Sequence, residues 1–436
     1  MSHVPMSYPE LAIAVRPNKF GRPSIMQLND GSLFMAGWDL FFKSKDGGLT
    51  WDEGVQHYDT DGKPIQATDM SVVKLSGDGI GVAGQDRTPV EGLKPTRYLF
   101  WRSDDGGKTW APPVQMNPPE MPARTLADVM IRTASGRILC PYYGFVNLGP
   151  WKQDGNMHVE DYPTGGGLIG GNFYVSSDCH NFDPIFGYCY VCYSDDDGRT
   201  WRANENGQLY IVLEAGSAYG SVFEPTMVEV SPGRLLMFLR TGLGRLYQSW
   251  SEDDGTTWSR PEPSILSASH SPGKLKRLPN GHLLCVWTQQ NHDEIRQGFT
   301  RTRLSSAISR NGGIMWELFQ NVESIHEQRR AEPGPIRATR PAEVYRLSGH
   351  VADERDHAFV QDLPPDYGRW SYPTVCVCKD RVIILHSYTK YHADGAYSTL
   401  EESRGYKILP LKWLYGGQEP GDSQHLPQRP NEPAVP

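Results

Sequence analysis

One eight-residue phrase, Ser-x-Asp-x-Gly-x-x-Trp, is written repeatedly along the chain. Its four good copies begin at Ser44, Ser103, Ser194 and Ser251. A degraded fifth copy begins at Ser309 and carries Asn311 in the Asp position. Successive copies start 59, 91, 57 and 58 residues apart. A period near 58 residues predicts a repeated supersecondary unit, and this length suits one four-stranded blade of a β-propeller.

The repeated phrase has the composition of a hairpin turn. Its Asp can accept hydrogen bonds from turn N–H groups, its Gly can adopt a positive φ, and its Trp returns the chain to an apolar layer. One copy per unit is typical of a structural turn, whereas a single active site requires residues that are not repeated. We therefore expect the phrase to be structural, so that replacing Asp104 of the second copy lowers stability and leaves activity intact.

A second recurrent phrase, a glycine-centred hairpin followed by an apolar strand, predicts six blades. It begins with LNDGSLFMAG at residues 28–37 and ends with VCKDRVIILHSY at 377–388. The predicted fold is all-β: one six-bladed propeller over residues 1–415, closed by pairing an early strand within 11–17 with the last blade. The long second interval predicts an insertion within 147–172. The tail at 416–436 is rich in Pro and Gln and is expected to be disordered or extended.

Composition limits the partners of the chain. The formal net charge is −8 across 436 residues, and no dense Lys/Arg run suggests nucleic-acid binding. No apolar stretch is long enough to span a membrane. The seven cysteines lack zinc spacing and are interpreted as buried free thiols, so no metal or cofactor is expected. The start shows no signal peptide, which predicts a cytoplasmic protein unless a leader has been lost.

The Ser-x-Asp-x-Gly-x-x-Trp phrase resembles the Asp box of the sialidase (neuraminidase) superfamily of six-bladed BNR-repeat propellers. The resemblance covers roughly residues 15–415. It implies a glycan or glycoside partner bound over the central channel, with site residues scattered about once per blade. Since such propellers also include other glycosidases, lyases and binding modules, the phrase indicates the fold more strongly than the function.

Three later units match the sialidase pattern. In the fourth unit, the resemblance assigns a buried catalytic Glu to Glu224 and a substrate-binding Arg to Arg240. In the fifth, it assigns an Arg eight residues ahead of the box to Arg301, with Arg303 as an alternative on the same face of the strand. In the sixth, it assigns the nucleophile to Tyr372.

The chemistry of a sialic acid explains why these residues would occur together. Its anomeric carbon carries a carboxylate, which paired arginines can hold through bidentate bonds. The same carboxylate would repel an anionic nucleophile, whereas a phenol deprotonated by a neighbouring Glu avoids that repulsion. Sialidases are known for such a Tyr nucleophile. The resemblance therefore implies an exo-glycosidase that removes a terminal acidic sugar.

The first three units depart from the pattern. Sialidases supply the first arginine from an Arg-x-Pro phrase, but here Arg22 directly precedes Pro23, and a one-residue shift on a strand reverses the face of a side chain. Asp39 lies close to the first box and is one candidate for the general acid; Asp128 is another. Asp69 and Arg124 are further candidates for substrate binding, because they stand where residues can face the channel. In place of the Glu that follows the last hairpin in sialidases, the chain has His386.

Two alternatives to hydrolysis remain open at this stage. A polysaccharide lyase acting on uronate glycans would need a base and a group that neutralises the carboxylate, which Tyr372, His386 and the arginines could supply. A carbohydrate-binding propeller without catalysis would explain the poorly matched acid. The oligomeric state cannot be read from the sequence.

Overall fold

The structure is a computed structural model of an all-β protein. It describes residues 6–86, 97–119, 121, 123–147, 167–169, 172–174, 185–214, 218–220, 222–241, 243–269, 271–291, 294, 301–334, 368–391, 397–398 and 405–421. The helical elements whose bounds the structure describes are one 3-10 turn, Pro9–Leu11, and one short α-helix, Leu411–Leu414. No helix in the described part of the chain is long and apolar enough to cross a membrane.

The strands form six antiparallel blades. Blade 1 contains β2 (Ser24–Gln27), β3 (Leu33–Gly37) and β4 (Leu40–Ser44), and a bridge between Phe41 and Val55 stands in its fourth position. Blade 2 contains β5 (Thr68–Lys74), β6 (Ile80–Gln85), β7 (Tyr98–Ser103) and β8 (Val114–Gln115). Blade 3 contains β9 (Ile131–Arg132), β10 (Ile138–Asn147), β13 (Ile185–Ser194) and β14 (Arg202–Ala203). Blade 4 contains β17 (Phe223–Ser231), β18 (Arg234–Arg240), β19 (Arg245–Ser251) and β20 (Glu262–Ser267). Blade 5 contains β21 (Lys274–Arg277), β22 (Leu283–Thr288), β23 (Arg303–Ser309) and β24 (Glu317–Ser324). Blade 6 contains β25 (Gly368–Val377), β26 (Arg381–Tyr391), β28 (Tyr406–Pro410) and β1 (Ala14–Arg16).

Three smaller additions lie outside the blade pattern. β11 (Gly167–Ile169) pairs with β12 (Asn172–Tyr174), and β15 (Ile211–Glu214) pairs with β16 (Ala218–Gly220). β27 (Tyr397–Ser398) adds to the edge of β26. β11 falls in the predicted insertion at 147–172 and β12 begins at its last residue, while most of the insertion lies outside the described residues. Residues 422–436 of the predicted tail also lie outside them.

The blades are arranged in a ring around their first strands. First strands of neighbouring blades contact one another in the pairs β2–β5, β5–β9, β17–β21 and β21–β25, and between blades 3 and 4 the contact joins β10 to β17. β25 contacts β2, which closes the circle. The buried apolar residues divide into six clusters, one between each pair of neighbouring blades. Each blade therefore contributes one sheet face to each of two interfaces, as expected for a propeller. The predicted fold class is confirmed.

The ring is closed by the N-terminal strand. β1 pairs antiparallel with β28, with Ala14 opposite Ile408 and Arg16 opposite Tyr406. Blade 6 is thus built from both ends of the chain, and the outer edge of β28 is covered by β1. The predicted pairing of an early strand with the last blade is confirmed.

The Asp boxes are the turns between the third and fourth strands of their blades. In all five copies the Ser hydroxyl accepts a hydrogen bond from the N–H of the Gly four residues on, at 2.8–2.9 Å. In all five the Asp or Asn Oδ1 accepts one from the N–H four residues after it, at 2.8–2.9 Å. Hydrogen bonds from Thr50 to the carboxylate lower the pKa of Asp46 to about 2. Because this pKa is lowered on folding, the stabilisation is present above the ordinary Asp pKa and is lost as the pH falls towards 2.

The geometry that the boxes share within this chain also brings neighbouring blades together. Gly255 of the fourth box has a φ of +82°, and a Cβ there would lie 2.1 Å from Leu139 Cδ2 in blade 3. Gly198 of the third box approaches Phe100 of blade 2 in the same way. The glycine is therefore needed both for the left-handed backbone and for the close approach. The boxes are structural, as the repetition predicted.

The stabilising carboxylate of the second box belongs to Asp105, not to Asp104. Asp105 accepts hydrogen bonds from Ser103, Lys108 and Thr109, whereas Asp104 is largely exposed and pairs only with Arg102 among the contacts of the described residues. The expectation placed on Asp104 was wrong by one residue, because the Asp-Asp pair leaves two candidates for one turn position.

These two neighbouring acids form a matched pair for experiment. Asp105→Ala should lower the melting temperature by roughly 2–4 °C, since it removes the acceptor for several turn N–H groups. Asp104→Ala should leave it nearly unchanged, because an exposed ion pair contributes little. Thermal unfolding followed by circular dichroism distinguishes them. An equal effect of both substitutions would contradict the structural assignment.

The six described cysteines are all buried free thiols: Cys140, Cys189, Cys192, Cys285, Cys376 and Cys378. Burial raises the pKa of Cys140 to about 12, which keeps this thiol protonated and unreactive at neutral pH. For these six residues, the interpretation as buried thiols is confirmed.

Candidate active site

Three first strands carry a bulge at the same end of the ring. The pairing register shifts between Thr68 and Ser71, between Phe223 and Thr226, and between Ser371 and Thr374. Inside these shifts lie three predicted site residues with positive φ: Asp69 (49°), Glu224 (43°) and Tyr372 (53°). Residues held in this region are strained unless glycine, and such strain is concentrated at functional sites.

Two of the three bulges and the Arg22 segment share the type of residues that follow the site residue. Glu224 and Tyr372 are each followed by Pro and then Thr, and Arg22 by Pro and then Ser. A proline lacks an N–H, so it fits where the ladder is interrupted. The hydroxyls link adjacent first strands: Ser24 Oγ accepts from Val72 N at 3.1 Å, and Thr226 Oγ1 accepts from Leu275 N at 3.1 Å.

Glu224, Arg240 and Tyr372 form a connected group. Arg240 Nη1 pairs with Glu224 Oε2, and both side chains are buried. The Tyr372 hydroxyl donates to Glu224 Oε1 at 3.4 Å, and Arg240 Nη1 donates to the Tyr372 hydroxyl, also at 3.4 Å. Burial by itself lowers the pKa of Arg240, but the Glu224 carboxylate together with the Tyr372 and Tyr143 phenols outweighs burial and raises that pKa above its ordinary value. Glu224 and Tyr372 thus lie within hydrogen-bond reach of each other, and the catalytic roles assigned to them stay predictions.

Two further arginines lie against the ring of Tyr372. Arg22 Cζ is 4.8 Å from the ring centroid, and Arg301 Cζ is 5.3 Å from it. Arg22 reaches the site from the segment before β2, where the strand alternation does not apply. Its Nη2 lies 4.0 Å from Asp69 Oδ1. Asp69 of blade 2 thus provides a carboxylate beside Arg22.

Arg301 is held in a cationic surrounding. Its Nη1 donates to Ser371 Oγ at 3.3 Å. Burial lowers its pKa to about 10, and the nearby cations Arg369 and Arg240 act in the same direction. The guanidinium nevertheless stays charged at neutral pH. Arg369, on β25, was not among the sequence-predicted residues.

Arg124 lies at the border of this group. Its backbone bridges to Tyr143, and its side chain is exposed. Burial, followed by the Glu224 carboxylate, raises the pKa of Tyr143, whereas the positive charges of Arg124 and Arg240 oppose that rise. Tyr143 is thus a second, neutral phenol close to Glu224, and no sequence motif pointed to it.

Asp39 occupies the tight turn between β3 and β4. The residue is half-buried, and its Oδ1 has no hydrogen-bond partner within the described part of the chain. Trp38 beside it is 61% exposed and has a φ of 55°. The Trp38 indole nitrogen would lie 3.2 Å from a Cβ placed on Gly21, next to Arg22. The turn therefore adjoins the Arg22 segment.

Asp128 has a different position from that expected of a proton donor. It is 4% exposed, and its Oδ1 accepts from Lys276 Nζ at 2.7 Å while its Oδ2 accepts from Val375 N at 2.9 Å. Lys274 Nζ donates to the carbonyls of Ala127 and Asp128. Asp128 thus joins blades 3, 5 and 6, and its carboxylate is occupied by structural contacts. The sequence suggested Asp128 as a general acid, and these contacts give it a structural role instead.

Two other candidates are also engaged elsewhere. Arg303, the alternative to Arg301, is fully buried and pairs with Glu294 at 2.7 Å. His386 faces Glu323 at 3.2 Å in a buried group with Lys407. Burial lowers the pKa of His386, although Glu323 opposes the shift. Neither side chain contributes to the group around Tyr372.

The arrangement combines a phenol, a carboxylate acceptor and several guanidinium groups at one end of the channel. The carboxylate can take the phenol proton, while Arg240 stabilises negative charge on both partners. Arg22 and Arg301 beside the ring favour an anionic ligand. Such a set can bind an acidic group next to a nucleophilic oxygen.

Comparison with known proteins agrees with this architecture. The family model described as BNR repeat-like domain matches residues 169–385, and the BNR/Asp-box repeat matches residues 101–112. A protein of unknown function from Dyadobacter fermentans has 18% identity and a TM-score of 0.50, with 94% of this chain and 100% of that chain covered.

Two solved trans-sialidases share the fold. The intramolecular trans-sialidase of Ruminococcus gnavus, in complex with oseltamivir carboxylate, has 14% identity and a TM-score of 0.50, with 91% of this chain and 95% of that chain covered. The leech intramolecular trans-sialidase, complexed with 2,7-anhydro-Neu5Ac, has 14% identity and a TM-score of 0.51, with 96% and 72% covered. At these identities the likeness concerns the fold. From its repeats, its ring of blades and these likenesses, the chain has the fold of a BNR-repeat propeller, and it shares this fold with the two trans-sialidases.

Proposed function

We propose that the protein is a retaining exo-glycosidase that removes a terminal acidic sugar, a sialic acid or a close relative, from a glycan. The proposal rests on one observation above all: the Tyr372 hydroxyl lies 3.4 Å from both Glu224 Oε1 and Arg240 Nη1. A phenol between a carboxylate and a guanidinium is arranged to lose its proton. The solved trans-sialidases of the same fold support the choice of substrate class.

In the first step, Tyr372 Oη attacks the anomeric carbon while its proton passes to Glu224. The bond from that carbon to the leaving oxygen breaks, and the leaving oxygen takes a proton from Asp39. In the second step, water attacks the same carbon and gives its proton to Asp39. The bond to Tyr372 then breaks, and Glu224 returns the proton to the phenol oxygen. Two displacements at one carbon retain its configuration.

The arginines would hold the substrate carboxylate. Arg22 and Arg301 lie on the ring of Tyr372, so an acid bound between them stands beside the attacking oxygen. Arg240 adds to the positive electrostatic field of these two arginines, although its Nη1 already contacts Glu224 and Tyr372. Binding energy from this clamp also offsets the cost of placing the anomeric carbon close to the phenol.

A panel of glycosides tests the proposal. We expect release of the acidic sugar from α-sialosides, with the first-formed anomer, observed by NMR, retaining its configuration. Unsaturated product formed from uronate glycans, seen as an ultraviolet absorbance rise, would instead identify a lyase. Saturable binding of sialosides without turnover of any substrate would identify a carbohydrate-binding propeller. Either of these outcomes would overturn hydrolysis.

A further inference from the structure

The turn between β3 and β4 is an unusual place for tryptophan. Gly37 pairs with Leu40, so Trp38 and Asp39 are the two residues of a tight hairpin turn. Two-residue hairpins prefer Gly, Asn or Asp where φ is positive. Trp38 has a φ of 55° and remains 61% exposed. Local preference and burial therefore both disfavour this residue, and a departure of that kind is expected where function demands it.

The topology puts this turn at the same end of the ring as the site. Arg22 precedes β2, and the β2–β3 connection lies at the opposite end, so the β3–β4 turn returns to the end where Arg22 lies. Direct contacts agree: Gly37 packs against Pro23, and the indole nitrogen of Trp38 lies over Gly21. Arg22 in turn lies 4.8 Å from the Tyr372 ring.

We propose that Trp38 is the stacking platform for the sugar that carries the acidic residue, the leaving-group sugar. The inference rests on the proposed function. An exposed indole at the rim can cover the apolar C–H face of a neutral pyranose, such as a galactoside, as aromatic rings do for other flat ligands. Leu40, 37% exposed on the same hairpin, extends the apolar surface. Asp39 between them stands where the leaving oxygen would receive its proton.

The platform predicts a dependence on the leaving group. Two substrates with the same acidic sugar, one linked to methanol and one linked to lactose, are compared in wild type and in Trp38→Gly. Glycine suits the positive φ, so the variant should fold with an equal or higher melting temperature. We expect kcat/KM to fall about tenfold for the lactose glycoside and to stay nearly constant for the methyl glycoside. Trp38→Phe should prefer the lactose glycoside over the methyl glycoside to a degree between that of wild type and that of Trp38→Gly.

Met315 provides the control, because it is 64% exposed but lies in the degenerate Asp box at the opposite end of its blade. Met315→Ala should leave both substrates unaffected. An equal loss on both substrates in Trp38→Gly, or no loss on either, would overturn the platform. A lower melting temperature of Trp38→Gly would show a structural tryptophan instead, and would also overturn it.

A binding measurement separates this inference from hydrolysis itself. Lactose alone, observed by saturation-transfer NMR, should receive a signal from wild type and from Met315→Ala and lose it in Trp38→Gly. This readout requires no turnover, so it tests the platform even if the hydrolysis proposal fails. Equal signals from wild type and Trp38→Gly, or none from wild type, would contradict the proposal.

Discussion

Replacing Tyr372 with phenylalanine should reduce kcat by about 10³-fold or more while the protein remains folded. The substitution removes the attacking oxygen, and a lost covalent step costs on the order of 4 kcal/mol or more in the barrier. The ring is kept, so the arginines on its face keep their contact. Initial rates on an α-sialoside, with the melting temperature measured in parallel, test this expectation.

Two further measurements make the Tyr372 experiment specific. Binding of the substrate should persist in Tyr372→Phe, because the clamp arginines are unchanged. Tyr58, an exposed tyrosine on the outer part of blade 1, serves as the control: Tyr58→Phe should have wild-type rates. A Tyr372→Phe variant with wild-type turnover would refute the nucleophile and leave the propeller without this chemistry.

The fold was predictable because its signals are local. Each glycine-centred hairpin and each Asp box lies within about ten residues of sequence, and the six hairpins at a regular period predicted the number of blades. The closing strand was predictable from the need to cover a sheet edge. The error at Asp104 has the same origin: two adjacent acids carry the same local signal, and only the turn geometry separates Asp105 from its neighbour.

The site was harder to predict because it depends on side-chain direction. Strand alternation cannot place Glu224 or Tyr372, since each lies on a bulge that changes the face of the residues beside it. A pattern was nevertheless present: Arg22, Glu224 and Tyr372 each precede a proline and then a Ser or Thr. Together, these three phrases mark the points where the chain at the start of a blade turns a side chain towards the group around Tyr372.

The role of Asp128 could not be predicted from the local sequence. Its phrase looks like that of Asp69, an acid at the start of an inner strand, and both have a positive φ. Their roles differ because of partners far away along the chain: Asp69 lies near Arg22, whereas Asp128 meets Lys276 and the backbone of Val375. No local pattern specifies such contacts across a channel.

Asp128→Ala should therefore act on stability, with an expected loss of about 3–5 kcal/mol in the free energy of unfolding. Removing one partner of a buried charge group leaves the other uncompensated, and here Lys276 loses its carboxylate while Val375 N loses its acceptor. Chemical denaturation measures the effect, with the exposed Asp104→Ala as a control. Collapse of turnover with unchanged stability would restore Asp128 as a catalytic acid.

The loss of stability in Asp128→Ala should also depend on pH, because Lys274 lies in the same buried group as Asp128 and Lys276. Burial lowers the pKa of Lys274 to about 7, and the charge of Asp128 limits that fall. Below pH 7 the buried Lys274 ammonium is charged and is stabilised by the Asp128 carboxylate. Above pH 7 the folded state holds a neutral Lys274 amine, which the carboxylate stabilises less. Because the folded pKa lies below the ordinary value of 10.5, the cost of burying the charge is fully present below about pH 7 and declines as the pH rises from about 7 towards 10.5. The destabilisation by Asp128→Ala should accordingly be larger near pH ~6 than near pH ~9, and a difference that grows with pH would show that Lys274 is not held by Asp128.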